Sequence, residues 1–375
     1  MTSFISIFGY IMFFNLIFQG YLEYLPAGII AGIVSILYLA GLGNHLFQGA
    51  QAIFWAGVIF FIVSLILLLF KDKTMGLKML SPGIIIFLFA FLLGYLALQG
   101  AHYRNWDEFS HWGLASKEMI FTNSFAAPGG AVQFLDYPPG ISLFHYFFLL
   151  NSPAEMEAGT YIAHLVLLIA PLTIFFYRIK WRDWKKILLI LLIVPCIVVT
   201  LGNGFRSIYS DQLLSVYFAA LIIGYARLAD GPKRFMLLLL PIFFLLPMIK
   251  KTGYLLCWFA IFMFFVDQVL SAWRPDNVEN GKELPGRAME CAKGLAAVAV
   301  FAAVCWMFEY TWKIRIESIH LPETFSMPFD IKCVLSAFTD AATPFTREVI
   351  AKFKARTLES FLSPVNLLPG HIFFI

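Results

Sequence analysis

The chain has 375 residues, of which 60% are apolar, 13% are charged and 41 are phenylalanine, and its formal net charge is +4. Soluble domains carry roughly 25% charged residues, so this composition excludes a soluble domain with a polar surface, and it also excludes disorder. The remaining class is a polytopic integral membrane protein. The charge is spread along the chain, and no basic run is dense enough to bind nucleic acid.

Long apolar runs predict the helices that cross the membrane. A crossing helix needs roughly 20 mostly apolar residues, and only helices satisfy their own backbone in lipid at this length. The predicted fold is therefore an all-α membrane helix bundle with about 9–11 transmembrane segments. The candidate runs are 4–20, 25–41, 51–70, 83–99, 158–177, 187–203, 212–228, 235–249, 252–270 and 292–310, and a last run starts near 361.

Basic residues predict which ends of the bundle face the cytoplasm. Three, five and three Lys or Arg residues lie in segments 71–78, 178–186 and 227–234. The segment 101–140 is one crossing away from the first two, so it is predicted to lie on the outer face, as in the periplasm beside a bacterial inner membrane. The predicted parts are a bundle over 1–310 with an extracytoplasmic loop 101–157, an outer polar segment 311–360, and the start of a further span over 361–375.

Two stretches complicate the count of crossings. The run 141–150 is too short to span the bilayer, so it is predicted to be half-inserted or interfacial, with 158–177 as the true crossing. Three full crossings before residue 71 would place the N-terminus outside, which is unusual. One of the runs 4–20 and 25–41 is therefore a candidate re-entrant segment.

The segment 102–140 concentrates ionisable residues in a chain that has few of them. Asp107 and Glu108 are adjacent, directly after an apolar run. One interpretation makes Asp107 only the N-cap of an interfacial amphipathic helix over 109–120. We favour a functional role, because ionisable groups at the surface of a hydrophobic bundle tend to belong to sites. Further ionisable residues in the same segment are Arg104, His111, Lys117 and Asp136.

Aromatic residues and prolines shape the same loop. Trp106 and Trp112 are interpreted as members of the aromatic belt at the headgroup level rather than as substrate platforms. Pro138 and Pro139 predict a rigid turn that aims the following helix. Tyr137 fits either a turn residue or a site residue.

Basic residues also interrupt apolar runs at two other outer turns. Lys250 and Lys251 lie on the side that the positive-inside bias disfavours. Two interpretations stay open for them: snorkelling at a helix end, or an anion site for a lipid phosphate. Arg206 is a second candidate ligand for a phosphate or sugar, whereas Asp211 is most simply a helix cap.

These motifs resemble those of a known enzyme family. The run Trp106-Asp107-Glu108 with His111 resembles the Asp-Glu signature loop of protein O-mannosyltransferases and related GT-C-type glycosyltransferases. The stretch Tyr-Pro-Pro-Gly at 137–140 resembles their Pro-Pro-Leu element, with Gly in place of Leu. The outer-turn sequences around 209–211 and 249–253 are also similar to motifs of that superfamily.

The resemblance implies a many-helix membrane enzyme that transfers a sugar, with inversion, from a polyprenyl-phosphate donor on the outer face. It implies that Asp107 is the base and that Glu108 supports the base or the acceptor. The basic residues would hold the donor phosphate, and the other polar residues of the outer loops would bind substrate. These predicted substrate-binding residues are Lys250, Lys251, Arg206, His111, Arg104, Tyr137 and Asp211.

The acceptor is expected to be a lipid-linked or envelope glycan. A divalent cation, Mg²⁺ or Mn²⁺, at Asp107, Glu108 and Asp136 is an option rather than a requirement, and the five cysteines predict neither a zinc site nor a disulfide framework. Two other functions stay open. One is a glycolipid transporter or flippase, which would need ionisable residues along a path through the bilayer. The other is a protein of the O-antigen ligase or polymerase type.

Overall fold

In a computed structural model, the part of the chain that is described consists of helices joined by loops and contains no strand. This part comprises residues 2–70, 79–151, 156–200, 206–229, 231–271 and 284–320 and five residues between 347 and 355. The all-α prediction is confirmed over these ranges. The basic segment 71–78, nearly all of 321–360 and the predicted last span 361–375 lie outside them.

Most of the helices are long and apolar, and short 3₁₀ or π segments precede or extend several of them. The 3₁₀ segments are Leu22–Tyr24, Pro171–Phe176 and Lys233–Leu239, and the π segment is Glu108–Trp112. The α-helices are α1 (Thr2–Ile17), α2 (Leu25–Leu42), α3 (Leu46–Phe70), α4 (Pro82–Ala97), α5 (Gly113–Thr122), α6 (Gly140–Leu150), α7 (Met156–Ile169), α8 (Trp184–Thr200), α9 (Ser210–Leu228), α10 (Leu240–Ile249), α11 (Lys251–Ser271) and α12 (Leu284–Ser318).

Five helical segments of the described chain are long and apolar enough to cross a membrane. They are Leu22–Leu42, Leu46–Phe70, Met156–Phe176, Lys251–Ser271 and Ala288–Ser318. Three shorter helices, α1, α4 and α6, are also apolar. By length and composition the chain is therefore an integral membrane protein, as its sequence predicts.

The segment 98–139 covers one end of the bundle, which is called the loop end below. The start of α7 lies there, because Glu157 accepts hydrogen bonds from Lys117 Nζ (2.6 Å) and the backbone of Tyr103 (3.1 Å). The far end of α12 lies there as well, because Trp312 Nε1 donates to the Asp136 carbonyl at 3.1 Å. Ends of helices from distant parts of the sequence therefore meet beneath one loop.

The first two helices each run unbroken through the bundle. Ser3 at the start of α1 donates to the Phe148 carbonyl, and Tyr21, beyond its other end, stacks on Tyr177. Tyr38 near the end of α2 bonds to Thr311 of α12 at 2.8 Å. The alternative that one of the two runs is re-entrant is therefore wrong.

Helix α6 lies inside the bundle and not on its surface, so the interfacial alternative for 141–150 is wrong, whereas the half-inserted alternative stays a prediction. Every residue from Gly140 to Phe148 is buried. A side chain at position 140 would collide with the backbone of Met248 in α10, so this close approach requires glycine. An 11-residue apolar segment has the same sequence signature in a protein core as at an interface.

The predicted boundary at residue 310 falls inside a helix. α12 continues to Ser318, and its last turns bury Trp312 and Ile316 against the rest of the bundle. The bundle therefore extends beyond the predicted limit, and only residues after Ser318 can form a separate outer segment.

Glycines set the close approach of α1 and α3. A Cβ atom at Gly57 would collide with Ser6 and Tyr10 of α1, and one at Gly9 would collide with the backbone of Gly57. Ser6 Oγ and Tyr10 OH then donate to the carbonyls of Phe54 (2.9 Å) and Ile53 (2.8 Å) of α3. Small residues at such a contact are a common device for packing helices in membranes.

We predict that Gly57→Ala destabilises the protein by about 1–3 kcal/mol, because the added methyl group forces the two helices apart. The matched control is Gly32→Ala in α2, where a Cβ would have no neighbour within 4 Å; this change should be neutral or stabilise by about 0.5–1 kcal/mol. Thermal unfolding of the purified protein in detergent measures both. Equal midpoints for the two variants would contradict the proposed packing.

Candidate functional site

The carboxylate of Glu108 is buried and fully hydrogen-bonded. It accepts hydrogen bonds from the backbone N–H groups of Arg104 (2.7 Å) and Asn105 (2.9 Å), from the Asn105 side chain (3.3 Å) and from the Tyr161 hydroxyl (2.8 Å). A buried charge is tolerated when such donors surround it. Because Tyr161 belongs to α7, Glu108 ties the loop to a membrane helix, and its role as a support for the base or the acceptor stays a prediction.

Asp107 precedes a single π-helical turn, a feature often found at functional sites. Its side chain makes no cap hydrogen bond, so the interpretation of Asp107 as a simple N-cap is wrong. The carboxylate is partly exposed. Partial burial raises the pKa of Asp107, Lys250 lowers it, and the neighbouring charges of Asp211 and Glu108 raise it again. Residues far apart in sequence therefore interact electrostatically at this point.

The two consecutive lysines at the start of α11 pair with different carboxylates. Lys250 Nζ lies 2.7 Å from Asp211, whose side chain is 60% exposed. Lys251 Nζ lies 2.8 Å from Asp136, whose side chain is 1% exposed. Neither lysine simply snorkels. Lys251, whose side chain is 34% exposed, pairs with a buried carboxylate, and its role as a phosphate ligand stays a prediction.

Asp211 belongs to the first turn of α9, but its side chain does not cap the helix. The N-cap residue is Tyr209, and no side-chain cap hydrogen bond is present there. The simple capping interpretation of Asp211 is therefore wrong, and the residue acts through its ion pair with Lys250. Asp107, Asp211 and Lys250, together with Tyr137 and Tyr209, are called the loop-end cluster below.

The two tyrosines of this cluster adjoin its carboxylates. Burial raises the pKa of Tyr209, and the charges of Asp107, Glu108 and Asp211 raise it further. The pKa of Tyr137 is raised by burial and by Asp136, Asp107 and Asp211. Tyr209 belongs to the motif at 209–211 and was not predicted as a site residue, although its spacing from Asp211 was a usable signal.

His111 is buried beneath the cluster rather than exposed to a substrate. Its ring makes edge contacts with Trp112 and Tyr137 at centroid distances of 4.5 and 4.8 Å. Burial lowers the pKa of His111 to about 4. Trp112 is buried too, so its prediction as a belt residue is wrong, whereas Trp106 is 74% exposed, as a belt residue would be.

The two arginines differ in what they contact. Arg104 contributes its backbone N–H to Glu108, and its side chain is exposed. Arg206 donates to the carbonyl of Ala97, the last residue of α4, at 3.4 Å. Arg206 therefore lies beside the loop end of α4, where an apolar groove begins.

An apolar groove of about 590 Å³ runs along α4, α7 and α8. Arg206 lines it together with the apolar residues Ile86, Ala90, Leu93, Leu165 and Leu191. Because a chain extends by at most about 3.6 Å per residue, Arg206 cannot lie far from Tyr209 of the loop-end cluster. Arg206 therefore connects the groove with the cluster along the chain, three residues from Tyr209.

The three carboxylates considered for a divalent cation are otherwise engaged. Glu108 receives hydrogen bonds from N–H and O–H donors, and Asp136 is paired with Lys251. Within the described ranges, no three His, Cys, Asp or Glu residues are grouped as metal ligands. Asp107 interacts with Lys250, and a divalent cation at this point stays a prediction.

Comparisons of the chain with protein-family models, with curated proteins and with solved structures find no match. The resemblance to GT-C-type glycosyltransferases therefore stays a prediction. Any assignment of function depends on the geometry of the loop-end cluster and the groove.

We predict that the two lysines differ sharply in their effect on stability. Lys251→Met removes the ammonium partner of the buried Asp136 carboxylate and should cost about 3 kcal/mol, whereas Lys250→Met breaks an exposed pair and should cost less than about 1 kcal/mol. Adding Asp136→Asn to Lys251→Met should restore part of the loss. Chemical or thermal unfolding in detergent measures all three, and equal effects of the two single changes would refute the assignment.

Proposed function

We propose that the protein is a GT-C-type glycosyltransferase that transfers a sugar, with inversion, from a polyprenyl-phosphate donor to a lipid-linked or envelope glycan. The observation that supports this most strongly is the position of Asp107. Its partly exposed carboxylate interacts electrostatically with Lys250 and Asp211, and Arg206, three residues before Tyr209 of the same cluster, lines an apolar groove. A base, a cation and a lipid-sized groove are the parts that such a transfer needs.

In the proposed reaction, a hydroxyl of the acceptor attacks the anomeric carbon of the donor sugar. Asp107 takes the proton of that hydroxyl as general base. The bond between the anomeric carbon and the phosphate oxygen breaks, and its electron pair leaves with the polyprenyl phosphate. Arg206 and Lys250 stabilise the charge that grows on the departing phosphate.

The groove suits the polyprenyl chain of the donor. Its walls are almost entirely apolar, and its charged lining residue, Arg206, lies at the outer end. A guanidinium group binds phosphate through paired hydrogen bonds. Arg206 is a better candidate for this contact than Lys251, which is already paired with Asp136.

We place the loop-end cluster on the outer face of a bundle of about 9–11 crossings, as the periplasmic face of a bacterial inner membrane. Basic residues at the opposite end support this orientation. Arg178 and Arg234 lie near Tyr21, and Arg227 lies near Tyr24. Positive charge at membrane-protein ends marks the cytoplasmic side.

Asp107→Asn should reduce sugar transfer at least about a hundredfold, because the amide cannot accept the proton. Asp107 acts as a base only when it is ionised, and its pKa is raised. As the pH is lowered, the rate should therefore begin to fall at a higher pH than it would with an aspartate of ordinary pKa. Asp211→Asn should move this acid limb to lower pH, and Lys250→Met should move it to higher pH. The measurement is the pH profile of kcat/KM with a radiolabelled polyprenyl-phosphate sugar.

The control for the pH profile is Asp183→Asn, which changes an aspartate at the opposite end, where it accepts a hydrogen bond from the Lys180 backbone. It should leave the profile unmoved. Full activity of Asp107→Asn, or shifts of the same sign in the Asp211 and Lys250 variants, would contradict the assignment of Asp107 as base.

Arg206→Gln should raise the KM for the polyprenyl donor about tenfold, because a charged hydrogen bond to phosphate is lost. The matched control is Arg104→Gln, which removes another exposed arginine side chain at the same end and should change the KM little. Steady-state kinetics with varied donor measure both. An unchanged donor KM in Arg206→Gln would show that the donor phosphate does not bind at the groove.

A further inference from the structure

Two arginines adjoin a stack of aromatic rings at the end of the bundle opposite the loop end. The ring of Tyr21 stacks on that of Tyr177, with the centroids 5.9 Å apart, and on that of Phe235 at 4.2 Å. Arg178 lies over the Tyr177 ring, with its Cζ atom 5.1 Å from the centroid, and Arg234 lies over the Phe235 ring at 5.0 Å. Both arginines also act electrostatically on Tyr21. These five residues are called the arginine stack below.

The charges of the two arginines are not neutralised by a neighbouring acid. Among the described residues, neither guanidinium group forms an ion pair, whereas Lys117, Lys250 and Lys251 at the loop end are all paired. Glu23, which lies at the same end as the arginines, is buried and hydrogen-bonded to Ser81. Both arginine side chains are exposed. A guanidinium group over an aromatic ring keeps the N–H donors at its edge available, so the arginine stack presents donors for an anion.

A second apolar groove, of about 330 Å³, lies next to the arginine stack and follows α1 and α2. Its lining includes Tyr24, whose ring meets those of Tyr21 and Tyr177 at centroid distances of 6.4 and 5.0 Å. The tyrosine rings therefore join the groove to the arginine stack by direct contact. Clefts that bind small ligands occupy about 300–1,000 Å³, and this one, called the α2 groove below, lies in that range.

The α2 groove has about the length of one leaflet of a bilayer. Along α2 its lining extends from Leu25 to Ile36, which corresponds to about 16 Å at the rise of an α-helix. The hydrocarbon core of a bilayer is about 30 Å thick, so one leaflet accounts for about half of it. Ile36 and Leu237 in the lining are 54% and 42% exposed. The groove is therefore open to lipid and suits an acyl chain of the leaflet in which the arginine stack lies.

Two glycines keep the α2 groove open. Gly28 and Gly32 both line it. A Cβ atom at Gly32 would have no neighbour within 4 Å, and one at Gly28 would meet only the Leu238 carbonyl oxygen at 3.7 Å. Glycine inside a helix costs about 0.5–1 kcal/mol relative to alanine, and here no close helix contact explains it. The space above these glycines is therefore available to a bound chain.

Topology alone would account for basic residues at this end, because positive charge marks the cytoplasmic side. It does not account for two unpaired arginines that adjoin aromatic rings beside a groove of leaflet length. Basic pockets between membrane helices are typical binding sites for the phosphates of anionic lipids. The guanidinium group also matches the geometry of a phosphate through paired hydrogen bonds.

We propose that the arginine stack and the α2 groove form a binding site for an anionic phospholipid. The phosphate group of the lipid binds to Arg178 and Arg234, and one acyl chain occupies the groove. This phospholipid is distinct from the polyprenyl donor, whose proposed groove follows α4. The proposal does not depend on the function proposed above.

The test is the retention of lipids by the full-length protein in detergent, measured by native mass spectrometry with an equimolar mixture of phosphatidylglycerol and phosphatidylcholine that carry identical acyl chains. The wild type should retain phosphatidylglycerol in preference. The double variant Arg178→Gln/Arg234→Gln should bind phosphatidylglycerol at least about tenfold more weakly and lose the preference. The matched control Arg182→Gln/Lys185→Gln removes two exposed basic side chains of the same end and should keep it.

A further variant tests the α2 groove separately from the charges. Gly32→Leu should weaken the binding of both lipids about tenfold, because the leucine side chain occupies the space of the acyl chain. Gly32→Ala is the matched control, since it adds only a methyl group and should retain most of the binding. Thermal unfolding should show Gly32→Leu to be folded, because a Cβ atom at this position touches no neighbour.

Equal retention of the two phospholipids by the wild type would overturn the proposal, and so would an unchanged preference in Arg178→Gln/Arg234→Gln. A loss of the preference in the control Arg182→Gln/Lys185→Gln would show a response to net charge alone and would also overturn it. Full binding of phosphatidylglycerol by Gly32→Leu would refute the α2 groove as the site of the chain. None of these measurements uses sugar transfer, so their outcome is independent of the proposed enzyme activity.

Discussion

The buried carboxylate of Glu108 is the constraint on which the rest of the site depends. Its hydrogen bonds from two backbone N–H groups and from the Tyr161 hydroxyl fix the loop to α7. Once Glu108 is held inside, the preceding residue, Asp107, is held at the surface of the bundle. The π-helical turn after Asp107 is the local backbone form that this anchoring takes.

The adjacent residues Lys250 and Lys251 form two ion pairs with different roles. The pair between Lys251 and Asp136 is buried on its acidic side and joins the loop to α11, so it holds the framework. The pair between Lys250 and Asp211 is open to solvent, so its charges are available to a substrate. Exposed pairs contribute little to stability, which is why a functional rather than a structural role suits Lys250.

Much of the site could be predicted from the sequence, because the charged residues stand out in an apolar chain. The meeting of Asp107 with Lys250, across more than 140 positions, followed from counting crossings. The anchoring of Glu108 could not be predicted, since its donors are mostly backbone groups and a tyrosine inside a predicted span. The ion pair of Lys251 with Asp136 could not be predicted either. Lys250 and Lys251 are adjacent in sequence, and only the start of α11 points their side chains in different directions.

The fold, like the site, could be predicted from the sequence only in part. Run lengths predicted an all-α membrane bundle, which is confirmed over the described ranges, but the burial of α6 depends on which helices surround it, and that is a property of packing rather than of composition. The most direct test of the account is a structure of the protein with a polyprenyl phosphate bound. The account predicts the phosphate beside Arg206, next to Lys250 and Asp107, with the prenyl chain in the groove along α4. A phosphate bound at the opposite end of the bundle, or one that leaves this groove empty, would contradict it.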